Sequence, residues 1–197
     1  MQFSERIWND HLEFSPPYEG EIKRGWRFST SLLSPLSQGG GFWTGPSGGK
    51  MKWITREKVK VDRVACPWLI RRFIDREAEF LFVPAEQVLS IAEHERAIPY
   101  DFPGVTLGHH NGKCSFEAIV SEYRIDDPAI ELLSKIVHGA DVSHDLYGLP
   151  EAAGLKAIAV GFSLLNFTDH QILEKESVVY DALYEYCKWK LNREEKS

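Results

Sequence analysis

Apolar and polar positions follow two different rhythms along this chain. Between residues 51 and 110 the apolar residues come in short runs, at 52–56, 80–83, 98–101 and 105–107. Their length and their β-branched or aromatic content predict strands at 52–56 and 80–83, and short strands or extended loop at 98–101 and 105–107. Helices are expected over 67–75, with Pro67 at the first helical position, and over 84–92. Beyond residue 115 the apolar positions recur every three or four residues, which predicts four helices. Ser115 reads as the N-cap of a helix over 116–123 with Glu117 in its first turn. Asp127 caps the next, Pro128 opens it, and Gly139 lies just past its end. Pro150 opens a helix rich in small residues, and Thr168 with Gln171 forms a capping box for the last, which reaches about Leu191. The pattern predicts an α+β fold, a helix-rich single domain with a small β-sheet near its N-terminal half.

Composition sharpens the boundaries. Residues 1–50 hold eight of the fifteen glycines and four of the ten prolines, so they read as a disordered extension or as non-native upstream sequence with Met51 the natural start. The folded unit is expected over 51–192. With 43% hydrophobic residues the chain can bury a core, and its net charge of −6 gives no general pull toward nucleic acid. No apolar run has the length of a membrane span, and the N-terminus lacks the apolar core of a secretion signal. Cys66, Cys114 and Cys187 are odd in number and far apart, which argues against a disulfide framework and for a reducing, cytoplasmic setting. Neither a Gly-rich dinucleotide fingerprint, a phosphate loop nor a nucleophile elbow is present, so a nucleotide-dependent enzyme is not supported.

Four polar clusters interrupt this pattern. The first runs from Asp62 to Asp75. If Pro67 starts a helix, Cys66 lies near its N-cap, where the helix dipole favours a thiolate or an anion. Arg63, Arg71 and Arg72 close by offer forked hydrogen bonds to an oxyanion. Alternatively these arginines pair with Asp62, Asp75 and Glu77. The second cluster places His109 and His110 in a glycine-flanked loop ahead of Cys114 and Glu117, donor types that suit a divalent ion such as zinc or iron. In the third, His138, Asp141 and His144 follow one another at three-residue steps, with His144 the weaker member. The fourth is Asp169, His170 and Glu174, which also suits an exposed first helical turn. Cys187 falls on an apolar stripe and is expected in the core.

The run Asp62-Arg63-Val64-Ala65-Cys66-Pro67-Trp68-Leu69-Ile70-Arg71-Arg72-Phe73-Ile74-Asp75 resembles the bacterial chromate-resistance family, at its ChrB C-terminal domain. Lys52-Trp53-Ile54-Thr55-Arg56, Glu79-Phe80-Leu81-Phe82-Val83-Pro84, Cys114-Ser115-Phe116-Glu117, Ile136-Val137-His138-Gly139-Ala140-Asp141, Pro150-Glu151-Ala152-Ala153-Gly154-Leu155 and Tyr180-Asp181-Ala182-Leu183-Tyr184 continue the likeness in order, over about residues 51–190. The resemblance implies a part in chromate resistance. Longer members look like chromate-responsive regulators with an additional N-terminal domain that this chain does not show, so no direct nucleic-acid contact is expected of this chain alone. Two functional expectations follow. One is a cytoplasmic domain that binds a metal ion or an oxyanion such as chromate, the oxyanion on Arg63, Cys66, Arg71 and Arg72. The other is a metal-dependent enzyme whose ion sits on His110, Glu117, His138 and Asp141, with Cys114, His109 and His144 as weaker members. An accessory or regulatory interaction domain without a catalytic site is the third and blandest expectation, and a homo-oligomer is compatible with each.

Overall fold

The computed structural model describes residues 50–196, so the expectations for residues 1–49 lie outside the described residues. The chain runs β1 (Lys52–Arg56), α1 (Val61–Phe73), β2 (Glu79–Val83), a single 3₁₀ turn (Ala85–Gln87), α2 (Val88–Glu95) and β3 (Ile98–Pro99). Four helices follow: α3 (Ser115–Glu122), α4 (Pro128–Asp141), α5 (Pro150–Leu164) and α6 (Asp169–Glu194). The three strands form a parallel sheet in the order β2-β1-β3, with Trp53 beside Phe80 on one side and Ile98 on the other. This is the α+β, helix-rich domain with a small sheet that the periodicity predicts.

Parallel strands need both faces covered. Successive residues of β1 point to opposite faces, and the core divides accordingly. Trp53 joins the main cluster with Leu69, Phe116, Leu133 and Tyr180, whereas Ile54 packs with Val88 and Ala92 of α2. The helical second half therefore lies on one face and α2 on the other.

Local signals placed several elements well. The Asp127 carboxylate accepts N–H bonds from Ala129 and Ile130, and the Thr168 hydroxyl accepts from Gln171. Cys187 is fully buried, as its stripe predicts.

Other boundaries moved. Helix α1 begins at Val61, six residues before Pro67, so Pro67 sits inside it and Cys66 is nowhere near a helix start. The physical reason is burial: Val61, Val64, Ala65, Trp68 and Leu69 all enter the core, which outweighs a cost of about 3 kcal/mol for an internal proline. Helix α4 continues through Gly139 to Asp141. Gly139 is a packing residue and not a cap, because a Cβ there would lie 2.8 Å from the Ala152 Cβ of α5 and 2.8 Å from the Asp145 carboxylate. Cys114, not Ser115, caps α3. The expected helix over 84–92 splits into the 3₁₀ turn and α2, and the last helix extends to Glu194. The stretch 98–101 keeps two strand residues, while 105–107 contributes one bridge, Tyr100 to Leu107.

One core position is energetically awkward. Glu176, on α6, is 1% exposed, and its Oε1 has no hydrogen-bond partner among the described residues. Burial pushes its pKa from 4.5 up to about 7. The unfolded chain thus gives up this proton first, and the fold loses stability as pH rises from about 4.5 to about 7. At about 1.4 kcal/mol per pH unit, the loss is of order 3 kcal/mol. Glu176→Gln is expected to raise stability by up to that amount at pH 8 and to change it little at pH 4, as read by urea denaturation at the two pH values.

Candidate functional site

The carboxyl edge of the sheet gathers two buried aspartates, Asp62 and Asp101. In open parallel sheets the crevice outside the carboxyl ends of the strands, where the chain order reverses, is where ligands bind. Here β1 is central: the chain passes to β2 on one side, then returns to β3 on the other. Arg56 ends β1, Asp101 follows β3, and Asp62 and Arg63 lie in the first turn of α1. Asp141 reaches the same place from the last turn of α4, and His109 from the loop after β3.

These groups converge on one imidazole nitrogen. His109 Nε2 lies 3.3 Å from Asp62 Oδ2, 3.3 Å from Asp101 Oδ1 and 3.2 Å from Asp141 Oδ2. Asp101 is held from behind by Arg56 Nη2 at 3.2 Å and Arg63 Nη1 at 3.5 Å. Ser115 of α3 donates its N–H to Asp62 Oδ2 at 2.6 Å and its hydroxyl to Asp101 Oδ1 at 3.0 Å. Asp62 is 1% exposed and its Oδ1 has no hydrogen-bond partner among the described residues. An unsatisfied buried carboxylate oxygen is costly, and such groups cluster at functional sites.

Electrostatics reflect the crowding. Burial, and then the charge of Asp141, push the Asp62 carboxyl from 3.8 up to about 7. Hydrogen bonds to Asp101, Asp141 and Asp62 hold the His109 proton up to about 12. Asp101 goes the other way: burial opposes its ionisation, but His109, Arg63 and Arg56 outweigh it and keep it below its usual value. One N–H can serve only one of three carboxylates well, so this environment favours a positive charge at its centre.

A second cluster lies against the first, built by the start of α3 and the end of α4. His138 Nδ1 meets Glu117 Oε2 at 2.7 Å, with His138 fully buried. Tyr147 donates its hydroxyl to Glu117 Oε1 at 2.8 Å, and Cys114 gives its N–H to Glu117 Oε2 at 2.9 Å. Burial alone would raise Glu117, but these three donors hold it below its usual value.

The residues expected from sequence are thus redistributed. The set His110, Glu117, His138 and Asp141 does not form one site: Glu117 and His138 share the second cluster and Asp141 belongs to the first. His110 turns away, its Nε2 at 2.7 Å from the Val105 carbonyl. Its neighbour His109 takes the central place instead. His144 is exposed and meets His138 only through its backbone carbonyl, at 3.4 Å. The oxyanion set also separates. Arg63 stays at the pocket, but Arg72 pairs with Asp181 at 2.8 Å and Arg71 lies over the Phe80 ring. Eight and nine residues along a helix carry them more than a full turn from Arg63. Cys66 is fully buried, and burial, with the nearby carboxylates, pushes its thiol well above the usual value, the opposite of an activated thiolate. The alternative pairings of the arginines with Asp62, Asp75 and Glu77 are replaced by Asp101 and Asp181. Of the fourth cluster, Asp169 accepts N–H bonds from Lys58 and Val59, and the His170 ring packs edge-on against Phe82.

Asp101 and Arg56 were absent from the sequence candidates. Their signal is positional: each directly ends or follows a strand of a parallel sheet, where the fold rule places ligands.

The architecture defines a small α+β domain with an acidic, histidine-bearing pocket at the carboxyl edge of a parallel sheet. Comparison with known proteins places it further: the chain belongs to the ChrB C-terminal domain family, whose model matches residues 53–187. It is similar to Protein ChrB of Cupriavidus metallidurans, 37% identical over 136 residues. The match covers 68% of this chain and 40% of that protein, so the chain spans about two fifths of the relative's length. No solved structure matches. Among the described residues, no helix is long and apolar enough to cross a membrane.

Proposed function

We propose that this chain serves chromate resistance by binding a metal cation in the pocket formed by Asp62, Asp101, Asp141 and His109. Membership of the ChrB family supports the chromate side of the reading. The convergence of three carboxylates on His109 Nε2 within 3.3 Å supports the cation side. Ligand atoms of Asp62, Asp101 and His109 lie within 4.8 Å of one another, close enough for one ion at the usual metal–oxygen and metal–nitrogen distances of about 2.0–2.2 Å. A bound ion would displace the His109 proton and take over its role of neutralising the aspartates. Carboxylate and imidazole donors together suit manganese, iron or zinc. Arg56 and Arg63 would hold Asp101 in place from behind, as outer residues do around metal ligands.

The same pocket is a poor host for chromate alone. A dianion would face three carboxylates, and Arg63 is already engaged with Asp101 and with the Lys58 carbonyl. The domain would therefore sense or handle the metal side of chromate stress in a cytoplasmic setting.

The test is equilibrium dialysis of the full chain against manganese, iron(II), zinc and chromium(III) salts, with elemental analysis of the protein. Asp141→Asn is expected to weaken binding of the preferred ion at least tenfold. Retained affinity in that variant, or no ion bound by the wild type, rejects the reading. Saturable chromate binding lost in Arg63→Ala would replace it with the oxyanion alternative.

A further inference from the structure

The second cluster contains three metal-ligating side chains that the pocket does not use. The Cys114 thiol, a Glu117 oxygen and a His138 ring nitrogen all lie within 4.8 Å of one another, and all three residues are buried. We infer that Cys114, Glu117 and His138 form a separate site for a borderline-soft divalent cation, zinc being the natural occupant, at the junction of α3 and α4.

Three observations support it. First, the position is unusual for cysteine. Cys114 is the N-cap of α3, where serine, threonine or aspartate would cap better; its thiol faces the Glu117 N–H while its own N–H bonds the Glu117 carboxylate. A thiol there adds a soft ligand where capping asks for an oxygen. Second, the three donors come from rigid elements, two from the α3 start and one from the last turn of α4, so their spacing is set by helix packing. Third, the carboxylate is oriented from outside: Tyr147 holds Glu117 Oε1 at 2.8 Å, leaving Oε2 on the side of His138. Such outer hydrogen bonds are what fixes a ligating carboxylate.

On binding, the ion would take the place of the proton shared by Glu117 and His138 and displace the proton of the Cys114 thiol, both going to solvent. Three protein ligands leave a fourth tetrahedral position for water. This site differs from the pocket in chemistry, since thiolate and imidazole select zinc-like ions while the pocket offers mostly carboxylate. It does not depend on the proposed pocket being occupied.

The probe is cobalt(II), which reports a thiolate ligand by a charge-transfer band in the near ultraviolet. Full-length protein titrated with cobalt is expected to develop that band. It should persist in Asp141→Asn, which disables only the pocket, and vanish in Cys114→Ser. A double variant, Cys66→Ser with Cys187→Ser, leaves Cys114 as the only thiol and should keep the band, so the assignment survives even if Cys114→Ser fails to fold. Absence of the band in the wild type at saturating cobalt, or its loss in the double variant, overturns the inference. A loss of bound cobalt in Asp141→Asn with the band intact locates that loss in the pocket and supports two distinct sites.

Discussion

Replacing Asp62 with asparagine is expected to strengthen the metal-free fold and to cripple the pocket. The Asp62 carboxyl rises from 3.8 in the unfolded chain to about 7 in the fold, first because it is buried and then because Asp141 faces it. The sign follows from which state holds the proton. Below pH 3.8 both states are protonated; between there and about 7 the unfolded chain ionises while the fold does not, so stability falls as pH rises. The full span corresponds to about 4 kcal/mol. Attraction to His109 is lost in the variant, so a net gain of about 2 kcal/mol at pH 8 is expected, with none at pH 3. An asparagine oxygen can still accept the Ser115 N–H, which keeps the start of α3 in place. Cation affinity should fall at least ~100-fold, beyond what losing an outer residue costs. Urea denaturation at the two pH values, beside dialysis with the preferred ion, reads both effects. A variant that is less stable at pH 8 would mean that Asp62 is structural. A gain in stability coupled to a loss of binding is the signature of residues kept for function at the expense of the fold.

The largest loss of stability is expected from His138→Ala. His138 is fully buried and bonded to Glu117 at 2.7 Å, in a network completed by Tyr147 and the Cys114 N–H. Removing His138 takes one of three donors from a buried carboxylate and leaves a cavity, which together cost about 3–5 kcal/mol. Removing Glu117 as well should recover part of that cost, because the stranded carboxylate goes too. The pair is therefore strongly non-additive. Denaturation midpoints of His138→Ala, Glu117→Ala and the double variant at pH 7 measure it. Additive losses would show that the two side chains act independently.

The two variants also separate the neighbouring clusters. Among the described residues, Asp62 keeps one oxygen without a hydrogen-bond partner, while Glu117 lies among donors that satisfy it well. The first arrangement is poised for an added cation. The second holds together without one, and would accept an ion only by giving up the proton between Glu117 and His138.

Much of the secondary structure was legible in local patterns. Asp127 with Pro128, and Thr168 with Gln171, mark helix starts through side chains that satisfy their own neighbours' N–H groups, so no distant residue is needed. Pro67 misled for the converse reason. Its local preference is for a helix start, but burial on both sides of it keeps α1 continuous, and that burial depends on α3, α4 and α6. With the helix start moved to Val61, Cys66 became a core residue, and Asp62 and Arg63 became the residues at the first turn.

The histidine pair shows the limit most directly. His109 and His110 carry the same side chain in adjacent positions, and no spacing rule separates them. The turn that follows, with Asn111 and Gly112 both at positive φ, pairs His110 with Lys113 and leaves His109 facing the aspartates. Asp101 sits in a similar left-handed conformation after β3, and its signal is its place past a strand end, which only the sheet order reveals.

Taken by itself, the order of residues determined the family, the helix-rich α+β class and the identity of most polar clusters, because motifs, helical periodicity and caps act over a few residues. Only the tertiary structure decided which members meet. Asp62, Asp101, His109 and Asp141 are separated by up to 79 positions, and what brings them together is the packing of α1, α3 and α4 over the edge of a parallel sheet. Side-chain direction at that edge is set by where each backbone enters it, a property of the assembled core that no local stretch contains.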